Sequence, residues 1–342
     1  MSKKERICLL AFLALALALV FAVWQVFDRK TACRYTEKIN GFFNEPAESM
    51  DVLCYGSSRM YCTLDPLVLH AETGLRSYVL ATQQQPLAAT YCYMKESLKT
   101  QSPKVLLLEA TMAFSPGAGG EGALRDCLDP LPWSENKLAI IRTLVPEGER
   151  SSYYFNLLKY HQRWKELSAQ DFRFDWRGKR DPLRGYHFME IARPETCAQQ
   201  SYADVEAVPL SEESLAVLRD MKALAEENGA QLMLLAAPYA WADEERGSLK
   251  GLHAFCEDEG IVLLDMNEVY DSLGFDAERD FVDEGHLNVY GSAKATRLIG
   301  ETLLARYGLT PESHPADAEI SAAYAMRIEP FVRELNVESE AA

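Results

Sequence analysis

The chain has 342 residues, with 51 acidic against 35 basic side chains and a formal net charge of −16. Such a field repels phosphate backbones and anionic headgroups, which excludes nucleic acid as a partner. A composition that is 48% hydrophobic and 25% charged belongs to a packed globular protein, long enough for one large α/β domain or two small ones.

Residues 1–6 carry Lys3, Lys4 and Arg6 ahead of an uncharged apolar run, residues 7–27, which Asp28, Arg29 and Lys30 close. At about 1.5 Å per residue the run is roughly 32 Å long, the thickness of a bilayer core. Its length, and its bulky end Trp24-Gln25-Val26-Phe27, distinguish it from a cleaved signal peptide. The expectation is an uncleaved signal anchor in the cell membrane, single-pass, with a cytoplasmic N-terminus and the rest of the chain extracytoplasmic. Residues 28–49 are polar and are expected as a stalk.

From Asp51 short apolar runs alternate with amphipathic segments, the pattern of a parallel α/β sheet. Asp51–Tyr55 is a predicted strand ending in Gly56-Ser57-Ser58. Asp65-Pro66 starts a predicted helix that stops at Gly74. Arg76–Leu80 is a second strand, Pro86–Lys99 a helix, and Lys104–Glu109 a third strand buried on both faces. Residues 115–209 break the pattern. This insertion opens on Pro116-Gly-Ala-Gly-Gly120 and is rich in aromatics, among them Trp133, Tyr160, Trp164, Phe172, Phe174 and Trp176. It reads equally as a substrate-facing lid or as a helical pad over a sheet edge. Order resumes with a helix Ser211–Asn228, a strand Gln231–Ala237, a helix Glu244–Glu259, a strand Ile261–Leu264 and a last core helix Asn288–Tyr307. Residues 311–342 form an acidic tail in which Ile320–Leu335 reads as one helix interrupted at Pro330. The core domain is expected over 50–310.

Eight cysteines at irregular spacing form no CxxC, so no metal site is expected, and His253-x-x-Cys256 reads as a helix with a small buried thiol.

Two constellations carry chemistry. In Gly56-Ser57-Ser58 a glycine after a buried strand permits a sharp turn, which sets a hydroxyl at the sheet edge near a helix start. The plainer reading is a strand-to-helix turn with a capping serine. In Asp283-Glu284-Gly285-His286 a carboxylate three residues before a histidine can curl back to hold one ring nitrogen, leaving the other free as a base. Alone, this is also a surface histidine among acids. In a parallel sheet both fall at the carboxyl edge, where ligands bind.

Together, over residues 50–307, they resemble the SGNH (GDSL-type) hydrolase superfamily, in which Ser, Asp and His occur in this order. Gly56-Ser57-Ser58 stands at the Gly-Asp-Ser position, and Asp283-Glu-Gly-His286 matches the Asp-x-x-His block. The resemblance implies a three-layer αβα flavodoxin-like fold with Ser58 as nucleophile, His286 as base and Asp283 as its orienting acid, and with no cofactor. It is similar to the membrane-anchored branch of the lipoteichoic-acid D-alanylation and alginate O-acetylation proteins. Gln83-Gln84-Gln85-Pro86 and Tyr160-His161-Gln162-Arg163-Trp164 resemble anchored members as well. The family's second and third blocks are absent. Gln84, Gln85 and Thr111 are the candidate oxyanion donors beside the Ser58 N–H, and His161 and Arg163 are candidates for a substrate clamp or for one face of a helix. The implied substrate is an acylated envelope polymer or a small acyl ester. A multi-spanning membrane O-acyltransferase is the implied partner. The alternative is a weak or inactive SGNH-fold protein that binds glycan or scaffolds such a complex.

Overall fold

The computed structural model describes residues 1–28, 35–115, 119–172, 178–195 and 197–341. The opening of the insertion at Pro116–Ala118, its Phe174 and Trp176, and Cys33 of the expected stalk lie outside them.

The N-terminal run forms one helix, α1 (Lys3–Phe27), long and apolar enough to cross a membrane. Its most apolar window has a mean hydropathy of 2.9 and is nowhere buried in the protein. Ser2 and Glu5 form a capping box at its start, each accepting from the other's backbone N–H. The segment expected as a stalk is different. Its described part holds α2 (Thr36–Phe42), and Tyr35, Ile39 and Phe42 are buried in the main core. Spacings of four and three put these three side chains on one helix face, so a segment polar on average still has an apolar stripe.

Five strands form a parallel sheet: β1 (Val52–Gly56), β2 (Ser77–Ala81), β3 (Val105–Glu109), β4 (Gln231–Ala236) and β5 (Val262–Asp265). Their order is β2-β1-β3-β4-β5, with Cys54 between Val79 and Leu107 in register. This is the order of doubly wound, flavodoxin-like sheets, whose switch point lies between β1 and β3. Every residue of the first three strands is buried, as expected for runs without period-2 alternation that helices cover on both faces.

After β1 the chain forms α3 (Ser58–Thr63) and α4 (Pro66–Thr73). Asp65 caps α4, its Oδ1 accepting from the Leu67 and Val68 N–H groups at 2.8 and 3.4 Å, and left-handed Gly74 ends it. The second Asp65 oxygen is buried without a partner, and burial pushes this carboxyl up to about 7. On the opposite layer α5 (Leu87–Ser97) packs against the helices Glu135–Leu144 and Glu212–Glu227.

After β3 comes the short α6 (Thr111–Phe114), and the insertion carries α7 (Glu121–Leu128), α8 (Glu135–Leu144), α9 (Arg150–Tyr154) and α10 (Leu157–Tyr160), then a 3-10 turn His161–Lys165 and extended chain. It covers an edge of the sheet: Val79 on β2 donates to the Arg184 carbonyl at 2.9 Å, and Arg184 Nε donates to the Ser77 carbonyl. Further on, Arg193 and Glu195 bond to Phe281 and Ala277 and bring Glu195 to the carboxyl edge. The contact with the sheet edge and the contact with the cavity are made by two different stretches of the insertion outside its helices.

The sheet is completed through α11 (Glu212–Glu227), α12 (Asp243–Glu259), a short antiparallel hairpin of β6 (Phe281–Asp283) and β7 (His286–Leu287), and α13 (Val289–Tyr307). The acidic tail is two helices rather than one interrupted helix, α14 (Asp317–Arg327) and α15 (Glu329–Ala341). The break falls at Ile328 and Pro330 lies in the first turn of α15, where its missing N–H is no loss. Ile320, Ile328, Val332 and Leu335 are buried against Leu67 and Val68 of α4 and Val289 and Ala293 of α13. The tail is therefore a layer of the fold.

Candidate functional site

The ends of four strands of the sheet, β1 to β4, and the β6–β7 hairpin line one cavity of about 550 Å³ at the carboxyl edge of the sheet. The turn after β1 dictates its floor. Gly56 has φ +147°, and a Cβ there would meet Glu109 Cβ at 2.9 Å and Met60 Cβ at 3.1 Å, so only glycine lets the chain leave β1 in this direction. Ser57 then caps α3, its Oγ accepting from the Arg59 N–H and donating to Glu109 Oε2 at 3.2 Å. Ser58 is the first helical residue and faces the cavity. A first-turn N–H has no partner within its own helix.

The Asp-x-x-His block arrives as the β6–β7 hairpin instead of an open loop. Asp283 pairs with His286 across it, and Asp283 Oδ1 accepts from the Gly285 N–H at 3.0 Å. Asn288 ties the hairpin to α13. Its Oδ1 accepts from the Tyr290 and Gly291 N–H groups, and its Nδ2 donates to the Arg279 carbonyl. At Gly291 a Cβ would come within 2.4 Å of the Asp280 carbonyl, so glycine permits the hairpin to sit this close to the helix.

The two constellations meet. His286 Nε2 lies 2.8 Å from Ser58 Oγ, and His286 Nδ1 lies 2.7 Å from Asp283 Oδ1. With the ring proton on Nδ1 both bonds are satisfied, since Nδ1 donates to the carboxylate and Nε2 accepts from the serine. The His286 side chain is 30% exposed and that of Asp283 48%, so the row lies at the cavity mouth. An imidazole held this way is within reach of the serine hydroxyl's proton, the geometry that nucleophilic chemistry at a hydroxyl requires.

The remaining candidates separate. Gln84 lines the cavity from the turn after β2, exposed and held at φ +48°. Gln85 does not. It is fully buried and locks its own loop, accepting from Thr82 Oγ1 and donating to Thr90 Oγ1 and the Leu80 carbonyl. Thr111 lines the cavity, but both its N–H and its hydroxyl donate to Glu109 Oε1. His161 lies outside, its Nδ1 on the Leu157 and Leu158 carbonyls of α10. Arg163 is also elsewhere. Its Nη1 donates to the Phe27 and Asp28 carbonyls at the end of α1, and its Nη2 to Asp171 at 3.1 Å. It is a clamp, but the group it holds is the N-terminal helix.

The site also contains residues that sequence reasoning passed over. Glu109, ending β3, is fully buried and collects bonds from Ser57 and Thr111, so it fixes the β1 and β3 turns relative to each other. Burial raises its carboxyl above the usual range, while nearby Arg59 and its hydrogen bonds act in the opposite sense. The signal was present: a charge closing an otherwise apolar strand. Arg59 stacks on Tyr239 and Trp241, with its guanidinium carbon 3.9 and 4.3 Å from the ring centroids. That stack forms a rigid wall beside Ser58. Glu195, Glu245 and Glu284 complete an acidic rim.

Among the described residues one cluster could offer metal ligands: His253, Asp265 and Glu268. His253 Nε2 and the Tyr202 hydroxyl both bond Asp265 Oδ2, at 2.9 and 2.7 Å. The bond to Asp265 raises the His253 pKa.

No family model and no curated protein matches this chain. Among solved structures it is similar to an acetyl xylan esterase, Est2A, from the rumen bacterium Butyrivibrio proteoclasticus. The identity is 9% and the TM-score 0.33, over 77% of this chain and 66% of that one, so the chain spans just under two thirds of that protein's length. A likeness of this size carries no argument about activity.

Proposed function

We propose that the protein is a serine esterase or O-acyltransferase of the SGNH type, anchored in the membrane by α1 with its α/β body on the extracytoplasmic side. The observation that carries the reading is the hydrogen-bonded row Ser58–His286–Asp283 at the mouth of a cavity lined by the ends of β1 to β4 and the β6–β7 hairpin. His286 Nε2 takes the proton from Ser58 Oγ as that oxygen attacks an ester carbonyl, and Asp283 steadies the imidazolium that forms. The tetrahedral oxyanion is met by the Ser58 backbone N–H and the Gln84 side-chain amide, the candidate donor left once Gln85 and Thr111 are engaged elsewhere. Collapse expels the alcohol with the proton from His286 and leaves acyl-Ser58. Water, or a hydroxyl of an envelope polysaccharide or teichoic acid, then takes the acyl group by the same steps in reverse order. On this reading a multi-spanning membrane O-acyltransferase is the partner that supplies or receives the acyl group.

A fluorophosphonate probe tests the reading on the full-length protein in detergent. Labelling is expected in wild type and in Asp283→Asn at reduced rate, and is expected to vanish in Ser58→Ala. Hydrolysis of p-nitrophenyl acetate is expected to fall by about 10⁴ or more in Ser58→Ala and His286→Ala. A folded wild-type protein that takes no label refutes the enzyme and favours a glycan-binding or scaffolding role on the same fold.

A further inference from the structure

We infer that the insertion carries a second membrane-contacting surface, which seats the α/β body directly on the phospholipid interface beside its anchor. The inference rests on the reading of α1 as a membrane span. The span Ile7–Phe27 is about 32 Å long against a hydrocarbon core of about 30 Å, so its last turn, Trp24–Phe27, lies at the headgroup level. Whatever bonds to that turn shares its depth.

The insertion does bond to it. Trp24 stacks edge-on against Phe155 with ring centroids 5.4 Å apart. Asn156 Nδ2 donates to Asp28 Oδ1, and Arg163 donates to the Phe27 and Asp28 carbonyls. A cavity of about 380 Å³ in this seam is lined by Phe21 and Trp24 of α1 and by Leu131, Pro132 and Trp133 of the insertion. It reaches a full turn below Trp24 into the apolar span.

Around this seam stand four of the eight large apolar side chains exposed on the body among the described residues, the other four being Ile191, Val208, Met326 and Val337. Trp133 (48%), Leu158 (52%), Trp164 (63%) and Phe172 (58%) each lie in the seam or within two residues of a group in it: Asn156, Arg163, or Asp171 bonded to Arg163. Tryptophan has both an apolar ring and a polar edge and favours the headgroup layer. Lys165 flanks the patch, with its ammonium 5.1 Å from the Trp164 ring centroid, so its stem can lie along it with its charge in water, while Lys159 pairs with Glu121. A net charge of −16 is repelled by anionic headgroups, so the seat is apolar and does not depend on anionic lipid.

The test uses full-length protein in phosphatidylcholine nanodiscs, in a background of Cys8→Ser and Cys33→Ser, with nitroxide labels read by power saturation against oxygen and a water-soluble nickel chelate. Labels go on Trp164→Cys and Phe172→Cys, on Leu15→Cys in the anchor, and on Glu226→Cys, exposed on α11. Both insertion side chains are exposed, so neither substitution removes core packing. The expected result is oxygen-dominated accessibility at 164, 172 and 15 and nickel-dominated accessibility at 226, unchanged when phosphatidylglycerol is added. If 15 reads lipid while 164 and 172 read water like 226, the seat is refuted and the anchor stands. If 15 also reads water, the anchor and the seat both fall.

Discussion

Replacing Gln84 by glycine is expected to move activity and stability in opposite directions. Gln84 is held at φ +48°, the left-handed region, which costs a residue with a Cβ about 1–2 kcal/mol. Glycine removes that strain, but its unfolded chain is freer by about 0.5–1 kcal/mol. The net expectation is a gain of up to about 1 kcal/mol. Gln84 has no packing role that offsets this, because its side chain is exposed on the cavity wall. Activity should fall, since losing one oxyanion donor typically costs about 10²–10³ in kcat, or about 2.7–4 kcal/mol. The assay pairs p-nitrophenyl acetate turnover with thermal unfolding, both in detergent. Thr111→Val is the companion variant. Its hydroxyl serves Glu109, so it should lose stability, by about 1–3 kcal/mol for a buried acceptor left short of a donor. A Gln84→Gly enzyme with kcat within threefold of wild type removes Gln84 from the oxyanion site. A clear loss of stability refutes the strain argument.

Two further outcomes follow from buried charges. Asp65 holds its proton to about pH 7 in the folded protein against an ordinary 3.8, so its favourable contribution is complete below pH 4 and is lost as pH rises toward 7. Each unit is about 1.4 kcal/mol, so the wild type should lose up to about 4 kcal/mol between pH 4 and 8 relative to Asp65→Asn, which keeps the cap. Unfolding of both at the two pH values measures the difference, and an unchanged gap refutes the assignment. Arg163→Ala leaves Asp171, whose side chain is 1% exposed, as a buried carboxylate without its guanidinium. A loss of about 3–5 kcal/mol is expected, with kcat unaltered. A selective fall in kcat at unchanged stability would return Arg163 to the substrate site.

The local signals along the chain were strong where backbone chemistry is local. Asp65-Pro66 and Gly74 bounded α4, Ser211 capped α11, Asn288 capped α13, and five apolar runs became five strands within about a residue. Caps, prolines and left-handed glycines act over a few residues, so a sequence displays them directly. The pairing of Ser58 with His286 was legible only as a topological expectation, because 228 positions separate them and only a doubly wound sheet gathers its strand ends on one edge. The tertiary structure decided the rest. Polar composition concealed the apolar stripe of Tyr35, Ile39 and Phe42 and the buried face of the tail, because burial follows spacing on a helix more than mean polarity. Gln84, Gln85 and Thr111 are alike as donors in sequence. Their difference comes from which partners the fold places beside each: a closed loop for Gln85, Glu109 for Thr111, and for Gln84 the open cavity, with no side-chain hydrogen bond among the described residues. Arg163 likewise carries the same guanidinium whether it meets a substrate or a helix end, and only packing assigned it to the end of the N-terminal helix.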